Sequence, residues 1–428
     1  MAVGLGTAPD GPDGAGRIRG KMAQSVVGGI LTRPASGRGD EQEMDVKMFS
    51  RQYLGASLGL ALALLGGAMH AAHAQDGVSA KRIVLGQSAA FTGPASELGT
   101  EMRAGALAYF EHVNKQGGVH GRRIELIALD DGYEPDRAAA NTRKLIADGA
   151  FLLFGYVGTP TSNAAKPIFT EAQVPFVGPF TGAESLRTPV NRYIFNVRAS
   201  YFAETDKIIG QMVNLGLTKI AVFYQNDDYG RAGLAGVERA VKKRNLGISV
   251  TGTVERNTVD VAAAVKAIAA TEPQAVVMIS AYKSCAAFIR EMKKAGSNPQ
   301  FINVSFVGSR ALANELGETG RGVGITQVVP FPWNVGVPVV KEYQRLFAAA
   351  TGKSEFSFTS LEGFIAAKVL VEGLRRTGPN LTRERFIATM DNFGFDTGGF
   401  TVSYTPDDHS GSRFVELTVI TKEGKFLR

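Results

Sequence analysis

From Lys81 onward, short apolar runs alternate with stretches whose apolar residues recur every three or four positions. A strand covered on both faces reads as an unbroken apolar run, and a helix packed on it reads as a stripe, so the alternation predicts βα units around parallel sheets. Strands are expected at 83–87, 123–129, 151–154 and 174–177, with helices at 97–115, 135–148 and 164–172. A second group opens with a helix at 201–215. It continues with strands 219–224, 249–254, 275–279 and 301–304 around helices 231–244, 261–270 and 284–295. Each group has strands enough for its own sheet, and two similar lobes are more economical than one very wide sheet. Helices at 337–350, 360–377 and 382–391 follow, and a strand at 413–421 closes the chain. A small helical appendage would need a core of its own, so these helices are expected to return to the first lobe through residues 329–333. The fold class expected is α/β, two doubly wound three-layer lobes joined by crossings that form a hinge.

Residues 1–47 break the pattern, being rich in Gly, Pro, Asp and Arg without apolar periodicity, and are expected to be an unstructured extension from an upstream start. From Met48 a signal peptide is expected over 48–74: Arg51 gives a positive start, 54–68 an apolar stretch, and Ala72-His73-Ala74 a small-residue cleavage signature. That stretch is shorter than the ~20 apolar residues that span a bilayer, so cleavage after Ala74 and release to the periplasm are expected, without membrane insertion. Cys285 is the single cysteine, which rules out a disulfide within one chain. The net charge of +7 is dispersed without basic runs, which gives nucleic-acid binding no support.

Two of the predicted strands break into small hydroxyl-bearing loops, at 155–163 and 178–182. Thr159 stands where an N-cap belongs and Pro160 where a first helical residue belongs, so the first loop should open a helix whose N–H groups attract an anion. Gly155, Gly158 and Gly182 would let a ligand reach the backbone, and no general base accompanies the hydroxyls. The reading is a carboxylate-binding cleft. Catalysis finds no foothold: His112, His120 and His409 have no metal-ligand spacing, and no P-loop or strand-linked dinucleotide fingerprint occurs. Asp130-Asp131 is a lone pair, and Cys285 lies in a small-residue helical run where a buried inert thiol is expected. No metal, cofactor or enzymatic activity is expected.

Several stretches carry a family resemblance: Gly86-Gln-Ser-Ala-Ala-Phe-Thr-Gly-Pro94, Val113-Asn-Lys-Gln-Gly-Gly-Val-His-Gly121, Val222-Phe-Tyr-Gln-Asn-Asp-Asp-Tyr-Gly230 and Phe288-Ile-Arg-Glu-Met-Lys-Lys-Ala-Gly296. In order and over nearly the whole of 81–428, the chain resembles the leucine/isoleucine/valine-binding proteins, periplasmic solute receptors of ABC importers with the type I periplasmic-binding fold. The resemblance implies a ligand between two lobes, a three-segment hinge, an inner-membrane ABC permease as partner, and no catalysis. It divides the chain into lobe 1, 80–199 plus 330–398, and lobe 2, 200–329 plus 399–428. It assigns the ligand carboxylate to Gly158, Thr159, Pro160 and Thr161, the next loop to Phe180, Thr181 and Gly182, and a closing tyrosine to Tyr229. Leu98 matches a position flanking the ligand, Ala281 a further tyrosine with Tyr282 beside it, and Ser305 the acid that pairs with an amino acid's ammonium. The family's cysteine pair is absent, its positions being Tyr133 and Gly158. Arg198 and Tyr201, near the first crossing, would reach a second carboxylate or brace the hinge. The function expected is capture of a small carboxylate ligand, amino acid or related organic acid, by a monomer. A sensor feeding a signalling partner is the alternative.

Overall fold

The computed structural model describes residues 77–428, so the expected extension and signal peptide lie outside the described residues. The chain first lays down β1 (Arg82–Ala89), α1 (Ser96–Lys115), β2 (Arg123–Asp130), α2 (Pro135–Ala147), β3 (Leu152–Phe154), α3 (Thr159–Glu171), β4 (Phe176–Val177) and β5 (Ile194–Phe195). These strands form a five-stranded parallel sheet in the order β2-β1-β3-β4-β5. Seven of the eight β1 residues and all of β3 are buried, as parallel strands covered by helices on both faces must be.

The second group is α4 (Tyr201–Asn214), β6 (Ile220–Gln225), α5 (Asp228–Lys242), β7 (Ile248–Val254), α6 (Ala262–Ala269), β8 (Ala275–Ile279), α7 (Tyr282–Lys294), β9 (Gln300–Asn303), α8 (Ser309–Leu316) and β10 (Gly324–Gln327). Strand β8, Ala-Val-Val-Met-Ile, is buried throughout, whereas β7 alternates because it is an edge strand. Side-chain caps start two helices beside the cleft. Ser200 accepts from the Ala203 N–H at α4, and Asp227 accepts from the Tyr229 and Gly230 N–H groups at α5, which sets Tyr201 and Tyr229 in their helices' first turns.

Helices α9 (Pro338–Thr351) and α10 (Phe358–Thr377) then pack on α1, and α11 (Arg383–Met390) packs on α10. Gly105 and Gly363 let α1 and α10 approach closely, since a Cβ on either would strike the other helix's backbone. That approach sets Glu362, beside Gly363, at the centre of the molecule. Strands β11 (Gly394–Asp396), β12 (Thr401–Thr405) and β13 (Asp408–Gly411) form a third, antiparallel sheet, and the Asn196 N–H beyond β5 donates to His409 O at 3.0 Å. Only β14 (Glu416–Ile420) and β15 (Phe426–Leu427) join the second sheet, whose order is β15-β14-β10-β9-β8-β6-β7. Residues 401–411, expected with the second lobe, thus lie in a separate sheet against the first. Near the crossing at 329–333, Trp333 stacks on Phe426 at 5.7 Å and meets Phe358 at 5.8 Å, so one aromatic cluster links both sheets' surroundings. Among the described residues no helix is long and apolar enough to cross a membrane.

Candidate functional site

The carboxyl ends of the parallel strands of the two sheets face each other, which is where α/β sheets present their loops. The loops after β2 and β4 meet the loop after β9 through Tyr133–Phe306 and Phe180–Phe306, with ring centroids 6.0 and 5.5 Å apart. Gln225, ending β6, donates to the Tyr133 hydroxyl at 3.4 Å. Tyr229 stands 5.5 Å from Tyr201 and 4.5 Å from Phe306. Five buried aromatic rings therefore gather where the lobes meet, and burial pushes the Tyr229 hydroxyl pKa well above its ordinary value.

The loop after β3 departs from expectation at its first turn. Gly158, not Thr159, is the N-cap of α3, leaving Thr159 as the first helical residue and Pro160 as the second. The reason is steric: Gly158 has φ +105°, and a Cβ there would run into the Tyr133 ring. The two positions that match the absent cysteine pair are thus neighbours, with the ring filling the space between them. No side chain caps α3. Thr159 shares a 2.7 Å hydrogen bond with Thr181, whose hydroxyl also donates to Tyr201 at 3.2 Å. Thr161 bonds back to Val157 O at 2.5 Å, so its hydroxyl is spent on its own loop. At Gly182 the carbonyl accepts from the Tyr201 N–H at 2.7 Å, and a Cβ would strike the Tyr201 ring. Thr159, Thr181, Gly182, Tyr201 and Tyr229 are in this way one connected run across the cleft, with Phe180 on its flank.

At the centre lies Arg198, with no exposed surface. Its guanidinium stacks 4.8 Å from the Phe180 ring centroid, stands 3.7 Å from Glu204 and 3.6 Å from Glu362, and donates to Ser305 Oγ. Burial works against its charge, but Glu362 and Glu204 outweigh that and hold its pKa above the ordinary value. Ser305 is tied down on this cluster: its N–H and Oγ donate to the two Glu204 oxygens at 2.7 and 3.0 Å, and Thr326 donates to Glu204 at 2.5 Å. Burial pushes the Glu362 carboxyl up to about 7 although Arg198 opposes this. The Arg198 Nε and Nη1 and the Tyr229 hydroxyl, all buried, have no hydrogen-bond partner.

A model of the periplasmic binding protein family matches residues 82–425. The chain belongs to that family. The Leu/Ile/Val-, threonine- and alanine-binding protein of Pseudomonas aeruginosa is 23% identical over 343 residues, covering 77% of this chain and 90% of that protein. Among solved structures, a possible leucine/isoleucine/valine-binding protein from Rhodopirellula baltica superposes with a TM-score of 0.77 at 35% identity. The match covers 82% of this chain and 97% of that one. A substrate-binding periplasmic protein from Ralstonia solanacearum gives 0.76 at 34% identity, covering 80% and 99%. The resemblance and the α/β fold read from the sequence are both borne out.

The remaining candidates of this periplasmic binding protein sit apart from the central cluster. Leu98 presses against Gly308, which also lies against Ala311 and the Tyr282 ring. Ala281 is the N-cap of α7, in extended backbone. Leu98 on α1 and Tyr282 on α7 therefore meet at Gly308, a second contact between the two sheets' surroundings, with Ala281 next to Tyr282 in the chain. On the rim, Arg256 reaches Glu134 at 2.8 Å and Asp227 at 3.3 Å, Asn257 donates to Glu134 at 2.7 Å, and Asn163 donates to Asp228 at 2.9 Å. Cys285 is buried, as expected, and burial raises its pKa.

Sequence reasoning missed Glu204, Glu362, Phe306 and the role of Tyr133. Glu204 reads as an ordinary first-turn helix acid, which gives no signal. Glu362 was legible, as the lone acid in the apolar run Phe358–Val371.

Proposed function

We propose that this chain is an exported solute receptor that takes a small carboxylate-bearing ligand between its two sheets' loops and hands it to an inner-membrane ABC permease. The observation that carries the reading is the buried run of Thr159, Thr181 and Tyr201 hydroxyls together with Arg198, which stacks on Phe180 next to Thr181 and whose Nε and Nη1 lack hydrogen-bond acceptors. Buried polar groups without partners are rare and costly, so a site rich in them suits an oxygen-rich ligand. Membership of the family supports the receptor role, and the apolar stretch before Ala74 supports export with cleavage after that residue.

In this reading Gly158, Thr159, Thr181 and Gly182 receive the ligand from the first lobe, and Tyr229 closes over it from the second. Phe180, Phe306 and Tyr133 wall the site. The crossings after β5, after β10 and around the third sheet act as the hinge, and closure strengthens hydrogen bonds by excluding water. Thr159→Val removes a hydroxyl while keeping the shape of the side chain, and is expected to weaken binding by about 1–3 kcal/mol. Calorimetry against the best ligand from a thermal-shift screen of organic and amino acids tests this. Unchanged affinity would take Thr159 out of the site.

A further inference from the structure

We propose that Arg198 anchors the ligand's anionic group, and that the cleft therefore selects carboxylates lacking an α-ammonium over the corresponding α-amino acids. The inference rests on the receptor reading above and names its substrate class.

The argument is one of unspent donors and acceptors. Arg198 carries five N–H donors, and its Nη2 is used on Ser305. The contacts to Glu204 and Glu362, at 3.7 and 3.6 Å, are ion-pair distances rather than hydrogen bonds, and Nε and Nη1 are left without an acceptor. A guanidinium sealed from water with free donors calls for a planar oxyanion, which it holds in bidentate fashion. The Tyr229 hydroxyl, also unpartnered, belongs to a ring 4.5 Å from Phe306, which stands 5.5 Å from the Phe180 ring that Arg198 covers.

The acids tell the complementary story. Glu204 already accepts three hydrogen bonds, from the Ser305 N–H and Oγ and from Thr326, and its Oε1 faces Arg198 at 3.7 Å. Asp227 caps α5 and meets Gln225 and Arg256, while Asp228 is bonded to Asn163 and Arg231 on the rim. Glu362 faces Arg198, and its raised pKa leaves it only partly charged near neutral pH. An incoming ammonium would meet a buried cation and no fully charged carboxylate free to pair with it. An amine-free acid, such as a 2-oxo or aromatic acid, avoids that repulsion and brings the oxygens Arg198 lacks. Its apolar body would lie against Phe180, Phe306 and Tyr133.

The test uses the chain from Gln75 to Arg428 and matched probe pairs: 4-methyl-2-oxopentanoate with leucine, phenylpyruvate with phenylalanine, and benzoate alone. Titration calorimetry is expected to give at least tenfold tighter binding for the amine-free member of whichever pair binds. Arg198→Lys, which keeps the charge but loses the planar fork, should weaken that binding at least tenfold. Should Arg198→Lys fail to fold, Ser305→Asp serves instead: it sets a carboxylate beside Arg198 and should lower affinity for the amine-free acid while narrowing its lead over the amino acid. Equal or tighter binding of the amino acids overturns the inference and leaves the receptor reading standing. Binding of none of the five probes, with no thermal shift, overturns both.

Discussion

At the centre of the cleft Arg198, Glu204 and Glu362 are shut away from water, and the guanidinium keeps donors without partners. At the rim Arg256 and Glu134 stay partly exposed, with Asp227 buried beneath Arg256, and Asn257 and Asn163 bond directly to acids across the same cleft. The same residue types do different work because water is present in one place and absent in the other. Breaking a buried ion cluster strands a charge that the interior cannot solvate, whereas an exposed ion pair is replaced by hydration at little cost. In the proposed reading the ligand is chosen at the centre, and the rim adds a modest, salt-sensitive bias toward contact between the lobes.

The largest expected effect breaks the centre. Glu204→Ala removes the acceptor for Ser305 and Thr326 and the counter-charge of Arg198, and should cost about 3–5 kcal/mol in chemical denaturation. A loss under about 1 kcal/mol would put the centre on a par with the rim. Next, Gly158→Ala forces a side chain into left-handed backbone and against Tyr133, and is expected to cost about 2–3 kcal/mol, seen as a lower Tm. A neutral result would mean that Tyr133 shifts freely.

Acidity separates the two regions by sign. Burial raises two carboxyls from 4.5 to about 7: Glu362 at the centre, and Glu101 on α1, which accepts a hydrogen bond from Ser357 ahead of α10. A raised folded-state pKa favours the neutral form, so the stability these groups add is full below about 4.5 and is lost as pH rises through about 7. Between pH 5 and 8 each should account for about 1–3 kcal/mol, and Glu101→Gln should flatten part of the decline in Tm. On the rim, hydrogen bonding from Asn163 lowers the Asp228 pKa, so its contribution is present above the ordinary carboxylate range and is lost as pH falls. A Tm that climbed steadily from pH 5 to 8 would contradict the assignment for the centre. The smallest effect is at the rim: Arg256→Ala should change stability by no more than about 1 kcal/mol, and the change should shrink as salt is added.

Much of the fold was legible because parallel strands and their helices announce themselves by period. Strand β8 and helix α1 lie within a residue of their expected ends, since their apolar runs are long and bounded. The third sheet was not legible: β11 to β13 are short, mostly polar and paired with partners near in sequence, so no apolar run marks them. Strand β10, Gly-Ile-Thr-Gln, was missed for the same reason. At the cleft, the loops at Thr159 and Thr181 were found from their hydroxyls and glycines. The N-cap was misplaced by one residue because nothing near Gly158 in sequence tells of the Tyr133 ring that requires it.

The sequence by itself determined the βα alternation, the positions of most helices and strands, and the family, because each rests on local period or on ordered motifs. Only the tertiary structure decided which charges are spent. Arg198 with Glu204, Ser305 and Glu362 come from three stretches far apart in the chain, and nothing local says that they meet. Their chemistry arises because Glu204, Ser305 and Glu362 are all brought within about 4 Å of Arg198 away from water, where an unpaired charge or donor is expensive.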